Sequence, residues 1–361
     1  MRIIIACGGT GGHIFPGLSL YHALKKTQSE ANIVLVLDKR AISASIDIEE
    51  YPHIYICLAP LRFKFDLQNI IVVLKLLKGI IQSLKIILKI RPDIVVGFGG
   101  YASFFIVFFA RIFRIKTVIH EQNVVPGRAN WILAHLVGKV AVGFAKTRDY
   151  FGVSPSRITL TGNPLRPNLA KKIEKTHAYD FFGLYPDKFT ILVMGGSQGA
   201  HKINSAFLKA VSLIKDKSML QIIHLSGEQD FCFLKNSYKD LVVNSKTLAF
   251  LGKMEYAYSA ADIAISRAGA ISISEAAVFG LPLILIPYPY VRRHQVNNAR
   301  YFSENNAAIL IEEESLCPEI LRDKILELLQ NSGLRESMSR NISLLSRPKA
   351  NESLADLVLN D

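Results

Sequence analysis

Two stretches decide the fold. They are Arg2-Ile3-Ile4-Ile5-Ala6-Cys7-Gly8-Gly9-Thr10-Gly11-Gly12-His13 and Thr190-Ile191-Leu192-Val193-Met194-Gly195-Gly196-Ser197-Gln198-Gly199-Ala200. Each is a short apolar run, rich in β-branched residues, that stops at a cluster of glycines. Such a run reads as a buried strand, and glycines let the chain turn tightly and bring bare backbone against a ligand. The helix expected next, from about Pro16 in the first stretch, would turn free N–H groups and a positive dipole end toward an anion. The first loop is not a Walker loop, because no Gly-Lys-Ser/Thr follows, and it does not spell the GxGxxG dinucleotide fingerprint. Asp38 lies near the ribose position of a nicotinamide site but within Asp-Lys-Arg, which argues against that chemistry.

The same pattern extends outward. Strands are predicted at Arg2–Cys7, Ile33–Leu37, Ile94–Gly97, Thr117–His120, Val140–Gly143, Thr190–Met194, Gln221–Leu225, Ile263–Ser266 and Leu283–Ile286, with helical stretches between them. Alternation of this kind predicts parallel sheets with crossover helices. The series starts twice in 361 residues, more than one core usually serves, so two domains are expected. The boundary is placed in Thr161-Gly162-Asn163-Pro164-Leu165-Arg166-Pro167, giving domains 1–163 and 164–340.

Half of the residues are apolar and 20% are charged, as in a packed globular protein. The formal charge is +13, and residues 1–160 hold most of the excess, with 20 Lys and Arg against 9 Asp and Glu. That half suits a polyanion: nucleic acid, an anionic membrane face or a phosphorylated substrate. Cys7, Cys57, Cys232 and Cys317 form no CxxC pair and have no metal spacing, so they read as reduced thiols. The opening residues are too short an apolar run for a signal peptide.

Leu67–Ile90 is apolar enough to suggest a membrane span. However, Lys75, Lys78, Gln82, Lys85 and Lys89 repeat at helical spacing on one stripe. A spanning helix would bury four charges at roughly 2.5–3.5 kcal/mol each, which a surface helix avoids. An amphipathic helix packed on a sheet with its lysines in water is expected; a basic helix facing anionic lipid is the alternative. Ala102–Ala110 is too short to span a bilayer and reads as a buried crossover helix, or else as one partly immersed between Arg111 and Arg114.

Chemistry is expected where strands end. His13 stands beside the first glycines, where a general base would reach a ligand; a purely structural role is the competing reading. Gly97-Phe98-Gly99-Gly100-Tyr101 and His120-Glu121-Gln122-Asn123 also end strands, where open α/β sheets bind ligands. The bland reading of the latter is a polar turn with Asn123 as a helix cap. In Ser266–Ala277 a strand, a glycine and a helix start follow one another, a diphosphate-holding arrangement, with Glu275 one turn further in and able to accept from a ribose diol. Ser272-x-x-Glu275 also fits a capping box. Arg292-Arg293-His294-Gln295 is expected to overhang the same place.

Together these motifs resemble the MurG family, UDP-N-acetylglucosamine:N-acetylmuramyl-(pentapeptide) pyrophosphoryl-undecaprenol N-acetylglucosamine transferases, over nearly the whole chain. The matching segments are Gly8–His13, Gly99-Gly100-Tyr101, His120–Asn123, Gly162-Asn163-Pro164, Gly195–Ala200 and Arg267-x-Gly269 with Ser274-Glu275. The resemblance implies a GT-B fold, two Rossmann-like parallel-sheet domains facing across a cleft, with a final helix at about 341–361 packing back on the first. It implies inverting transfer of N-acetylglucosamine from UDP-N-acetylglucosamine to the C4 hydroxyl of the muramoyl sugar of lipid I, giving lipid II. By resemblance His13 is the base. Thr10, Gly11, Gly12 and Asn123 would contact the donor from the first domain. Arg166, Ser197, Leu251, Ala270, Ile271, Ser272, Ile273, Ser274, Glu275, His294 and Gln295 would hold it from the second. No cofactor is implied, and no metal, since the Asp-x-Asp of the other large transferase architecture is absent. The implied partners are the two substrates, anionic inner-membrane lipids and other cell-wall synthesis proteins, not nucleic acid, at the cytoplasmic face of the bacterial inner membrane. The family commonly has small residues where this chain is phenylalanine-rich after Tyr101, and some members carry two glutamines at His294-Gln295. Another GT-B transferase, such as a diacylglycerol galactosyltransferase, a UDP-sugar 2-epimerase and a nucleotide-sugar-binding regulator are the alternatives.

Overall fold

The computed structural model describes residues 1–9, 11–38, 48–57, 68–170, 172–196, 199–290 and 293–360, with the backbone alone at 68–73 and 170. The chain forms two compact units, one of Met1–Pro167 with Arg347–Asp361 and one of Asn168–Ser346.

Unit 1 runs β1 (Arg2–Cys7), α1 (Gly11–Thr27), β2 (Asn32–Asp38), β3 (His53–Ile56), α2 (Gln68–Ile90), β4 (Ile94–Gly97), α3 (Gly100–Ile112), β5 (Lys116–Glu121), α4 (Arg128–Ala134), β6 (Lys139–Val142) and β7 (Ile158–Leu160). Its sheet is parallel in the order β3-β2-β1-β4-β5-β6-β7. Alternation along β1 sends side chains to two cores. Ile3, Ile5 and Cys7 meet Leu18, Leu20 and Leu24 of α1, while Ile4 and Ala6 join Ile86, Ile87, Ile106 and Leu133 from α2, α3 and α4.

Unit 2 runs α5 (Lys175–Phe182), β8 (Phe189–Met194), α6 (His201–Ser212), β9 (Leu220–Leu225), α7 (Phe231–Asp240), β10 (Asn244–Leu248), α8 (Met254–Ala260), β11 (Ile263–Ser266), α9 (Ala270–Phe279), β12 (Leu283–Leu285), α10 (His294–Glu304), β13 (Ala308–Leu310), α11 (Pro318–Gln330) and α12 (Ser332–Leu345). Its sheet is also parallel, ordered β10-β9-β8-β11-β12-β13. Ile191 and Val193 pack with Phe207 of α6, Leu234 of α7 and Ile325 of α11.

Helix α13 (Ala350–Leu359) returns to unit 1, where Leu354, Ala355 and Val358 enter the core with α1. Asn351 holds the connecting segment by a reciprocal pair, accepting from the Leu165 N–H and donating to its carbonyl, each at 2.8 Å. Residues 164–167 therefore belong to unit 1, and Arg166 with them, although the prolines suggested a break at 163.

Helix α2 has a buried side with Gly79, Ser83, Ile86 and Ile87. Its lysines are exposed, but so are Leu74, Leu77, Ile81 and Leu88, by 50–60%. Gln82 leaves the lysine stripe and accepts from the Cys57 N–H at 3.1 Å. Helix α3 buries one face only, Ala102, Ser103, Ile106, Val107 and Ala110, and leaves its phenylalanines half-buried. Among the described residues, no helix is long and apolar enough to cross a membrane.

Candidate functional site

Each sheet reverses its strand order once, between β1 and β4 and between β8 and β11. Loops diverge at such points, which is where open parallel sheets receive ligands. Gly8, Gly9, Gly11, Gly12 and His13 stand with Gly99-Gly100 at the first of these places and Gly195-Gly196 and Ala270 to Glu275 at the second, whereas Asn123 follows β5, Arg166 lies beyond β7, Leu251 follows β10, and His294 and Gln295 lie beyond β12.

In unit 1 the loops after β1 and β4 touch. A methyl group on Gly8 would lie 2.7 Å from the Gly99 carbonyl oxygen and 3.0 Å from the Gly100 Cα. Gly100 itself holds φ +79°, with its missing side chain aimed 2.7 Å from the Gly8 Cα. Only paired glycines permit this approach. His13 is wedged beside the contact, its Nδ1 2.9 Å from the Cβ position of Gly8 and its Nε2 3.3 Å from that of Gly99. Helix α1 begins at Gly11, not near Pro16, so Gly11, Gly12 and His13 form its first turn. Thr10 lies outside the described residues.

The His120–Asn123 motif divides its labour. His120 is fully buried, 2.9 Å from the Gly162 carbonyl through Nε2 and 3.2 Å from the Gln122 amide nitrogen through Nδ1. Burial holds its pKa down at about 4, although the bond to Gly162 acts the other way. Glu121 is buried and accepts from the Asn123 backbone N–H (3.0 Å), the Asn123 amide (3.1 Å), the Gly127 N–H (3.1 Å) and the Asn130 amide (2.8 Å). Four N–H donors satisfy both carboxyl oxygens of a side chain whose burial would otherwise be costly. Asn123 is also held through its carbonyl by the Thr147 hydroxyl at 3.0 Å. Of the four strand-end residues, three are buried and Asn123 is half-buried. Asn123 does not cap α4, whose N-cap is Gly127. Arg166 places its guanidinium 5.4 Å from the centre of the Phe15 ring on α1.

In unit 2, Ser197 lies outside the described residues. Gly199 packs on the carbonyl of Ser226 and on Gly227 after β9. Across the switch point α9 starts with Gly269 as N-cap and no side-chain cap, leaving the first N–H groups without an intrahelical partner. Ala270 to Ser274 form its first turns, and Ala270 and Ile273 are buried. The expected capping box does not form, because Ser272 is the third residue of the helix and not its cap. Glu275 is instead buried, its Oε2 accepting from the Tyr258 hydroxyl at 2.9 Å. Leu251 is half-buried in the segment between β10 and α8. His294 and Gln295 open α10, and the Gln295 Oε1 accepts from the Tyr288 N–H at 2.9 Å.

An ionic cluster joins α6 to the segments after β11 and β13. Glu313 pairs with Arg267 and, at 2.9 Å, with Lys202. Burial pushes the Glu313 carboxyl up, but the hydrogen bonds and charges of Lys202 and Arg267 outweigh it and hold it below the ordinary range. Arg267 also donates to the Ile286 carbonyl at 3.1 Å and lies 5.4 Å from the Tyr288 ring centre, joining the loops after β11 and β12. Among the described residues no three of His, Cys, Asp and Glu are grouped to hold a metal ion.

Asn130, Tyr258, Lys202 and Glu313 were not singled out from the sequence. Asn130 carried a weak signal, an amide within the apolar Ala129-Asn130-Trp131-Ile132-Leu133. Tyr258 and Glu313 carried none, since their partners are distant in the chain.

Each unit is thus a parallel α/β sheet with glycine-rich loops at its switch point, the architecture of nucleotide-binding domains. Residues 3–142 match the glycosyltransferase family 28 N-terminal domain, and residues 190–354 match the corresponding C-terminal domain. A UDP-N-acetylglucosamine--N-acetylmuramyl-(pentapeptide) pyrophosphoryl-undecaprenol N-acetylglucosamine transferase from Desulforamulus reducens is 37% identical over 99% of this chain and 97% of its own. One of the same name from Thermodesulfovibrio yellowstonii is 38% identical over 99% and 98%. The crystal structure of MurG from Acinetobacter baumannii superposes with a TM-score of 0.78 at 26% identity, covering all of both chains. The chain belongs to the MurG family of glycosyltransferases.

Proposed function

We propose that the protein transfers N-acetylglucosamine from UDP-N-acetylglucosamine to the C4 hydroxyl of the muramoyl sugar of lipid I, with inversion, forming lipid II. The observation that carries the mechanism is His13, held between two glycine turns at the end of the unit 1 sheet. His13 takes the proton of the C4 hydroxyl. The oxygen attacks the anomeric carbon opposite the leaving group, and the bond to the diphosphate breaks with its electron pair going to UDP. One displacement inverts the centre, and departure is helped by donors facing the diphosphate. The α9 start, Ala270 to Ser274, supplies those donors, Glu275 takes the ribose diol, and Leu251, His294 and Gln295 complete the nucleotide contacts. Gly11, Gly12, Asn123 and Arg166 meet the donor from unit 1. Thr10 and Ser197 belong to the same assignment by family resemblance.

Purified protein given UDP-N-acetylglucosamine and a lipid I analogue is expected to release UDP and yield a β-linked disaccharide. Release of UDP without disaccharide would overturn the assignment. Free epimerised sugar would point to a 2-epimerase, and donor binding without turnover to a regulator.

The acceptor's polyprenyl tail places the reaction at a membrane, on the cytoplasmic face of the inner membrane in this reading. Leu74, Leu77, Ile81 and Leu88 lie exposed among Lys75, Lys78, Lys85 and Lys89, and the neighbouring α3, α4 and the turn after α4 expose Ile112, Trp131, Ile132 and Leu136. Phe108, Arg111, Ile112, Arg114 and Leu136 line a depression of ≈ 580 Å³ on α3 and the turns after α3 and α4. Apolar side chains among cations suit a surface of anionic lipid, where each Lys or Arg contributes about 1 kcal/mol. Binding to anionic vesicles is expected to weaken with salt and to vanish when the four α2 lysines become glutamate. Undiminished binding by that variant would sink this part.

A further inference from the structure

We infer that Tyr258 is a positioning residue for donor recognition, presenting the Glu275 carboxylate to the ribose. This rests on the assignment of Glu275 to the ribose diol. Glu275 is the sixth residue of α9 and only 3% exposed, so its carboxylate needs donors from the protein before any ligand arrives. The Tyr258 hydroxyl gives one, 2.9 Å from Oε2.

The phenol is itself fixed. Tyr258 is 2% exposed, its ring lies tilted on Phe279 with centroids 5.3 Å apart, and its hydroxyl stands 3.8 Å from the Met194 Sδ. Three elements therefore meet at one hydroxyl. They are the end of β8, from which the Gly195-Gly196 loop springs, α8, which carries the tyrosine, and α9, which carries the carboxylate. The last torsion of a glutamate is broad and roughly two-fold, unlike the staggered torsions before it. A hydrogen bond from an immovable ring removes that freedom in advance. A diol, which needs both carboxylate orientation and reach, then binds without ordering the side chain. Tyr258 does not contact the reacting atoms in this scheme; it acts through Glu275.

The test uses the full chain with UDP and 2′,3′-dideoxy-UDP as calorimetric probes, comparing the native protein with Tyr258→Phe and Glu275→Ala. Tyr258→Phe removes one oxygen and keeps the ring on Phe279, and an unchanged thermal midpoint checks its fold. The native protein is expected to prefer UDP by about tenfold or more, the scale of hydrogen bonds to a charged group. Glu275→Ala is expected to abolish that preference. Tyr258→Phe should cut it by about fivefold through lost preorganisation, with affinity for the dideoxy nucleotide within about twofold of native. In turnover the same variant should raise the donor KM and spare kcat. A Tyr258→Phe protein that discriminates as well as the native one, or that loses both nucleotides equally, would overturn the positioning role. A native protein that does not discriminate would instead overturn the ribose assignment.

Discussion

The two glycine loops that open the two sheets look alike as sequence and differ as structure. In unit 1 the loop after β1 closes on the loop after β4, Gly8 against Gly99 and Gly100, with an imidazole wedged beside the contact. In unit 2 the loop after β8 leans the other way, Gly199 resting on Ser226 and Gly227 beyond β9. The uncapped start of α9 stands across the switch point, and Glu275 is locked behind it. The same strand-turn-helix unit thus serves two ends. One brings the backbones of two loops together beside an imidazole, and the other rests on the loop after β9, away from the start of α9, which has no side-chain cap.

The sharpest way to break this contrast is His13→Ala. It is expected to lower kcat by about 100-fold or more, the usual range for a general base, with the donor KM little changed. A near-normal kcat would reduce His13 to a structural residue. Glu275→Ala should do the opposite, raising the donor KM by about tenfold or more through a lost hydrogen bond to a charged group. A loss confined to kcat would mean the nucleotide is not held there.

Acid tests both units in the same way. His120 in unit 1 and His224 in unit 2 are kept neutral by burial, at about 4 and about 3, although the bond to Gly162 and the charge of Asp230 respectively oppose this. The unfolded chain protonates them at about 6.5, so below that pH it binds more protons than the folded one. Each therefore contributes stability that is whole above about 6.5 and is lost as pH falls toward the folded value. Between pH 6.5 and 5 each loss is about 2 kcal/mol, which calorimetry should register as a lower thermal midpoint. An unmoved midpoint at pH 5 would mean that neither ring is held neutral.

The smallest effect separates the loops by space alone. Gly8→Ala drives a methyl into the backbone of Gly99 and Gly100 and should destabilise unit 1 by about 1–3 kcal/mol. Gly269→Ala, whose methyl would meet Ser272 Oγ at 3.8 Å, should change the midpoint hardly at all. Equal effects would show that the unit 1 loops do not depend on their contact.

The strands legible in the sequence are the interior ones. β3, β7, β10 and β13 were not foreseen, and these four are the edges of the two sheets. An interior strand is covered on both faces and reads as a continuous apolar run, as Phe189–Met194 does with every residue buried. An edge strand such as Asn244-Ser245-Lys246-Thr247-Leu248 is half-solvated and carries no such run. The site divides similarly. Glycines, His13 and Glu275 stand out because chain neighbours give them a pattern. Glu121 was visible only as part of a motif, and its task of tying Asn123, Gly127 and Asn130 together depends on how the loop folds back. Tyr258 reaches Glu275 across 17 residues and two helices, a pairing that no local rule encodes.

The return of α13 also has a consequence for biosynthesis. Unit 2 is continuous and possesses all of its strands and helices once Ser346 has been made, whereas the core of unit 1 lacks Leu354, Ala355 and Val358 until the whole of unit 2 has been synthesised. The half begun first is the half finished last. An apolar patch on α1 and β1 therefore waits for its cover through the synthesis of the whole second unit, until α13 and the Asn351 bracket to Leu165 are in place.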